Sequence, residues 1–435
     1  MPATNNQAAL AAARELFEKT FGEVSSNAKV LAVHAPGRSE ISGNHTDHEG
    51  GHVIAGALDV AVDGVAVANG TNVVRIIDAN FPLVEVDLSD LSVREDERET
   101  TAALVRGMAF ELAQTGRTPA GFDFASICSV PAAGGLSSSA AVEAAYGRAM
   151  EALWEGPSID PVELAKMSQF AENRYFGKPC GLMDQAAVCL GGLAYMDFEV
   201  PSEPKTAKLD FDFDKAGYAL CLVKVGSDHA DLTFEYAAIP DEMQAIAGEF
   251  GCKRLCEVDP AVFDAAVPQL REKYGDRAVL RAIHYWYENG LVDKRWEDLV
   301  AGDIESFLVH TRASGASSAM FLQNVSATVG DVREQHAMLA LGLAERILDG
   351  RGAARIHGGG FGGSIQCFRL IWWTSSSPAW TRGWARGRAV SIPLPRKARA
   401  RHGCNQGRRT GSYLLCDSLR ADRGGRSPLG VQRAA

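Results

Sequence analysis

Residues 131–141 read PAAGGLSSSAA. Ahead of them FDFASICSV (122–130) alternates in the manner of a strand, and behind them VEAAYGRAMEALW keeps small and apolar residues at helical spacing. The quoted stretch is a glycine loop that turns a strand into a helix. Glycine lets the backbone come close to an anion, and the serines supply hydroxyls and cap the helix. The free N–H groups at its start, with the helix dipole behind them, favour phosphate. The Gly-Lys-Ser/Thr of a Walker A loop is missing. A tight turn that needs small residues for packing is the plainer alternative.

Three further stretches carry chemistry-bearing residues. CGLMDQ (180–185) sets Asp184 just after a glycine-proline break, where a turn residue or helix cap is the ordinary reading. GGGFGG (358–363) surrounds one aromatic with five glycines, which suits backbone lying close to a ligand or another loop, or a hairpin turn. GNHTDHEGGH (43–52) crowds three imidazoles and two carboxylates into ten positions. It suggests a zinc hydrolase, but Gly43 stands where that pattern needs another His, and no later His or Asp completes a ligand spacing.

The body of the chain alternates strand and helix patterns. VAVDGVAVANG, NVVRIID and LVEVDLSDL read as antiparallel strands between Gly/Asn/Asp turns. In DPVELAKMSQFAENRYFGKP, Asp160 is the expected N-cap, Pro161 the first helical residue and Glu163 the reciprocal cap; Gly177 and Pro179 end the helix. A second set of patterns fills 207–368, so the plan is α+β in two halves.

At 435 residues, 46% hydrophobic and 23% charged, the chain has the composition of a soluble globular protein with room for two domains. No apolar run approaches a membrane span, and the N-terminus lacks the layout of a signal peptide, so a cytoplasmic protein is expected. Nine scattered cysteines read as reduced thiols. The net charge of −10 argues against a nucleic-acid partner but is unevenly spread. Residues 369–435 hold 13 Arg and 1 Lys against 2 Asp, so they carry +12 and the rest of the chain −22. That tail also holds four of the seven tryptophans and begins abruptly inside a strand pattern, SIQCF. A segment translated in a shifted frame fits this composition; an evolved basic arm is the alternative.

Taken in order, APGR at 35–38, the Gly-x-His-Thr-Asp stretch, the Gly-Leu-Ser-Ser-Ser-Ala loop, Gly-Leu-Met-Asp-Gln and the late glycine run resemble the GHMP family of small-molecule kinases, its galactose-phosphorylating branch in particular. The resemblance runs from about residue 10 to 368 and stops at the tail. It implies a ribosomal-S5-like N-terminal domain (1–206) and a ferredoxin-like C-terminal domain (207–368), with ATP and a sugar between them. Asp184 and Arg38 match the catalytic pair, the carboxylate taking or orienting the proton of the anomeric hydroxyl. Gly134, Gly135, Leu136, Ser137, Ser138, Ser139 and Ala140 match the phosphate loop, and Ser139 with Glu172 the Mg²⁺ site. Asn44, His45, Asp47, Gly181 and Tyr236 match the sugar site.

Departures from the family pattern fall mostly around the sugar. Glu40 stands for Asn, Asn44 for the Glu that meets the 6-hydroxyl, and His48 for Tyr. Ala237 and Ala238 replace paired arginines, Ala133 a loop glycine, and His357 a Thr. Asn44 removes a negative charge while still bonding a hydroxyl, which would admit an amide- or carboxylate-bearing sugar. The leading expectation is a monomeric, ATP- and Mg²⁺-dependent kinase of galactose. N-acetylgalactosamine, galacturonate or arabinose are the related substrates, and a non-catalytic sugar or nucleotide sensor, or an inactive truncated product, the rivals.

Overall fold

In the computed structural model the described residues are 3–131, 135–225, 233–328 and 333–371, with the backbone of 390–391. Helix α1 (Ala3–Phe21) leads into strands β1 (Leu31–Ser42), β2 (His52–Ala68), β3 (Val73–Asp78) and β4 (Phe81–Asp87). Then come α2 (Thr101–Gln114), β5 (Phe122–Cys128), α3 (Ser138–Leu153), α4 (Pro161–Phe170), α5 (Met183–Leu190), β6 (Leu193–Asp197) and β7 (Lys205–Leu209). These seven strands form one sheet in the order β4-β3-β5-β2-β6-β7, with β1 also paired to β2. All neighbours are antiparallel except β3 and β5.

The second half follows as β8 (Tyr218–Lys224), α6 (Thr233–Gly248), α7 (Pro260–Ala301), α8 (Ile304–Ser317), α9 (His336–Leu348), β9 (Ala353–His357), β10 (Ser364–Leu370) and β11 (Val390–Ser391). Its sheet runs β11-β8-β10-β9. The strand expected at SIQCF is β10, which pairs on both sides and continues past Phe368, so that Arg369 and Leu370 face Ala219 and Tyr218. Apart from 369–371 and the backbone of 390–391, the expectation about the tail lies outside the described residues. Among the described residues no helix is long and apolar enough to cross a membrane.

Burial follows the sequence periods. Val62, Phe122 and Phe124 turn one sheet face onto Met108, Ala141 and Leu164 of α2, α3 and α4, while Val65, Val67 and Ala125 on the other face meet Ala13 and Phe17 of α1. A separate cluster joins the two halves: Ile41, Ile54 and Leu193 from the first sheet pack with Tyr218, Ala353 and Phe368 from the second and with Val292 and Phe307 of α7 and α8.

The predicted start of α4 is present, with Asp160 accepting from Val162 N at 2.8 Å and Pro161 at the first position. Glu163 does not close the expected reciprocal cap, since its carboxylate takes Lys166 Nζ at 2.6 Å instead. After Phe170 the helix widens into a π turn, Ala171–Phe176, and ends at Gly177 with φ 91°. The widened turn keeps Glu172 buried.

Candidate active site

Arg38 lies at an irregularity in β1, where pairing with β2 slips between Pro36 and Arg38. A slip of this kind re-aims a side chain. Gly37 beside it has no room for more: a Cβ there would meet Leu136 O at 3.1 Å and Val130 at 3.2 Å. The loop before α3 can therefore lie against β1, and Arg38 N donates to Leu136 O at 3.1 Å. The Arg38 side chain is buried; NH1 donates to Gly135 O, while Nε and NH2 each reach Asp184 Oδ1 at 2.7 Å.

Ser137 holds a left-handed conformation (φ 56°, ψ 58°) at the N-cap of α3, yet its hydroxyl caps nothing. It donates to Asp184 Oδ2. A left-handed non-glycine residue costs energy, and such strain concentrates at functional sites. The first N–H groups of α3 thus receive no side-chain cap from Ser137, at the end of a helix that favours an anion.

Asp184, second residue of α5, is the centre of this arrangement. Burial pushes its carboxyl up, but the Arg38 guanidinium and the Ser137 hydroxyl together hold it below the ordinary carboxylate range. About a third of the side chain remains open to solvent (34%). It is an ionised acceptor with one free side.

Behind it lies a second carboxylate. Ser139 Oγ donates to Glu172 Oε1 at 3.0 Å, Gln185 Nε2 donates to Oε2 at 2.6 Å, and Lys178 Nζ reaches Oε1 at 3.2 Å. Glu143, one turn beyond Ser139, is fully buried, shares Gln185 at 3.3 Å and leaves its Oε1 without a partner. Burial, with Glu172 adding to it, pushes the Glu143 carboxyl well up. Sequence reasoning missed Gln185, Lys178 and Glu143; the i, i+4 spacing of Ser139 and Glu143 was the available signal.

On the opposite side, Gly43–Gly50 folds back sharply. His45 is left-handed (φ 62°) and buried, and its Nε2 lies 3.1 Å from Gly359 O. A carbonyl only accepts, so Nε2 carries the proton and Nδ1 is a bare acceptor, with no partner among the described residues. The Tyr236 ring lies tilted against His45 at 5.1 Å between centroids, and its hydroxyl lies 3.4 Å from His48 Nε2. Burial, then Asp47 and Asp184, push that phenol up, so both carboxylates bear on it. Gly181 closes the ring: a Cβ on it would sit 3.3 Å from Asp47 Oδ2.

Asn44 is not brought to the open side of this group. It is fully buried; Nδ2 donates to Gly358 O at 2.5 Å, and Oδ1 accepts from Asn324 Nδ2 at 2.8 Å and Ser318 Oγ at 3.2 Å. Its amide pins the glycine run. That run is a hairpin between β9 and β10 and also a backbone approached by another loop, with Phe361 N donating to Asn324 O at 2.5 Å, while a Cβ on Gly359 would lie 2.5 Å from the ring of Tyr236 in α6. The glycine of the phosphate loop expected at Gly134 lies outside the described residues; Gly135, Leu136, Ser137, Ser138, Ser139 and Ala140 lie where α3 begins.

Among the described residues no group of three His, Cys, Asp or Glu is placed to hold a metal. A paired hydroxyl and carboxylate suits a different ion. Mg²⁺ takes one or two protein oxygens and completes its shell with water and phosphate, and adjacent ligands on an octahedral ion at about 2.1 Å lie about 3 Å apart. The Ser139–Glu172 oxygens are 3.0 Å apart, so these residues fit.

A buried Arg–carboxylate pair at a capless helix start, on two sheets of this topology, is the layout of a GHMP small-molecule kinase. The family model described as GHMP kinases N terminal domain matches residues 103–192, and that of the galactokinase galactose-binding signature matches 15–67. A galactokinase of Glaesserella parasuis is 30% identical over 357 residues, 81% of this chain and 87% of that relative. One of Streptomyces coelicolor is 30% identical over 332 residues, 76% and 82% of the two chains. The solved Lactococcus lactis galactokinase complexed with galactose superposes with a TM-score of 0.69 at 25% identity, covering 83% of this chain and 90% of that one. The chain belongs to the galactokinase family.

Proposed function

We propose that this enzyme transfers the γ-phosphoryl group of ATP to the anomeric hydroxyl of galactose. The observation that carries the reading is Asp184, ionised, braced by Arg38 and Ser137, and open on one side beside the start of α3. Phosphoryl transfer asks a protein mainly for positioning and charge stabilisation. Asp184 takes or orients the proton of the attacking hydroxyl. Arg38 holds the carboxylate ionised and faces the charge on the moving phosphoryl group. The N–H groups and hydroxyls of 135–140 receive the ATP phosphates.

Ser139 and Glu172 would hold Mg²⁺, which when bound offsets phosphate charge. His45, Asp47, Gly181 and Tyr236 form the sugar side, His45 Nδ1 accepting a hydroxyl proton and Asp47 a second. Asn44 acts on the sugar by fixing Gly358 rather than by touch. We take the chain to divide into domains 1–206 and 207–368, a boundary that β7 (Lys205–Leu209) of the first sheet runs across, and the enzyme to be a cytoplasmic monomer without nucleic-acid or membrane partners. The composition of 369–435 supports a non-native, frame-shifted segment.

ADP release followed with galactose, N-acetylgalactosamine, galacturonate, arabinose and mevalonate tests the reading. Turnover is expected with galactose above the rest. Saturable galactose binding with no turnover on any of the five would overturn the kinase assignment in favour of a sensor. Restoring the downstream frame should raise soluble yield and activity together; no gain in either would speak for a native basic arm.

A further inference from the structure

His357 is the last residue of β9. It is buried at 4% exposure, and its Nε2 lies 3.1 Å from Ser39 Oγ. Ser39 favours one tautomer. Gln366 Nε2 donates to Ser39 Oγ at 3.3 Å, and Gln366 Nε2 also holds Glu40 O at 2.7 Å, so the hydroxyl receives a proton from that side. Its own proton has two acceptors in reach, His357 Nε2 at 3.1 Å and Glu40 O at 3.4 Å, and the nearer takes it. With the hydroxyl proton on the shorter of its two contacts, Nε2 accepts and the ring proton resides on Nδ1.

That Nδ1–H has no hydrogen-bond partner among the described residues. It points at the loop before α3: a Cβ on Gly135 would lie 3.8 Å from Nδ1, and Gly135 is the residue whose carbonyl Arg38 holds. Burial first, and then the fields of Arg38 and Arg355, keep the imidazole neutral, pushed down to about 3. A neutral ring presents one fixed donor and no charge of its own. The residue is buried, yet Nδ1 itself is not sealed in, so an acceptor on a ligand can reach it.

We propose that His357 Nδ1–H donates a hydrogen bond to the phosphoryl group as it passes from ATP to the sugar. The inference rests on the kinase reading given above. The bond from Pγ to the bridging oxygen of ADP breaks, the bond from Pγ to the anomeric oxygen forms, and the hydroxyl proton goes to Asp184; His357 keeps its proton throughout. The site gains a directional donor between Arg38 and the loop for the equatorial oxygens over which the charge is spread.

Asn and Gln separate the two ring nitrogens, because an Asn amide nitrogen reaches about as far as Nδ1 and a Gln amide about as far as Nε2. His357→Gln is expected to lower kcat about tenfold to a hundredfold, the range one hydrogen bond to a charged group spans, with KM for galactose unchanged. His357→Asn should recover most of that loss. Equal losses in the two variants, or full kcat in His357→Gln, would overturn the proposal. Should His357→Gln fail to fold by thermal unfolding, Ser39→Ala serves: freeing the tautomer should lower kcat several-fold, and an unchanged kcat counts against the idea. If the unaltered enzyme itself releases no ADP with galactose, the kinase reading fails separately. Binding of a non-hydrolysable ATP analogue relative to ADP then decides, expected to fall in His357→Gln and not in His357→Asn, and the proposal is lost if the two variants match.

Discussion

Asp184 concentrates the chemistry in one side chain whose charge is set by neighbours far away in sequence. Arg38 is 146 positions distant and Ser137 47. Replacing Asp184 with Asn should lower kcat about 10²- to 10⁴-fold, the usual worth of a positioned acid–base group, while ATP binding measured by calorimetry persists. The titration of other residues shapes stability. Burial holds His45 at about 3, as it does His357, against an ordinary 6.5. Between those values the unfolded chain binds protons there and the folded chain does not, so stability falls as pH drops below about 6.5. Glu49 works in the opposite sense. Burial raises its carboxyl to about 7 from 4.5, so the folded chain keeps a proton the unfolded chain has lost, and stability falls as pH rises across that interval. Glu49→Gln keeps an acceptor for Leu255 N and removes the titration. Chemical denaturation should find it more stable than the unaltered protein at pH 8, with a smaller gain at pH 5.

Two serine- or aspartate-led helix starts behave differently, and mutation should separate them. Asp160 caps α4 through Val162 N, so Asp160→Ala should cost about 1 kcal/mol of stability and leave turnover alone. Ser137 stands at the same place in α3 but spends its hydroxyl on Asp184. Ser137→Ala should therefore change the melting temperature little and instead move the acid limb of the kcat profile upward in pH, since the carboxyl loses a bond to its charged form. The difference marks what could be read from sequence. The cap at Asp160, the stop at Gly177 and the strand at 364–368 are local signals, and the structure carries them. The π turn at Ala171–Phe176 and the reach of Lys166 to Glu163 depend on packing and side-chain competition, which a periodic pattern does not encode. Asn44 shows the limit most clearly. The three partners of its side-chain amide lie at 318, 324 and 358, and nothing near residue 44 announces them.

At the scale of the molecule, the cluster between the two sheets carries the greatest consequence. Phe368 is fully buried against Phe213 and Phe307, with centroids at 5.3 and 5.1 Å. Phe368→Ala should cost about 3–5 kcal/mol in a denaturant titration, lowering the midpoint while unfolding still proceeds in one step, because the residue belongs to a core both halves share. Polar contacts register the same surface: Arg355 NH2 meets Glu40 Oε1 at 2.8 Å, and His284 Nε2 meets Asn44 O at 2.9 Å. Each leaves a buried charge or polar group bare if the halves part, which penalises other alignments more than it rewards this one. The exposed turn at 200–203 crosses between β6 and β7 and contributes little to that surface. A chain severed between Ser202 and Glu203 should accordingly yield two pieces that find each other without a covalent link, β7 of the second completing the sheet of the first. Co-expressed, they should elute as a single species and regain turnover, whereas either piece alone would present its side of the Ile41–Phe368 seam to water and aggregate. The continuity of the backbone would then be dispensable to this enzyme in a way that the seam is not.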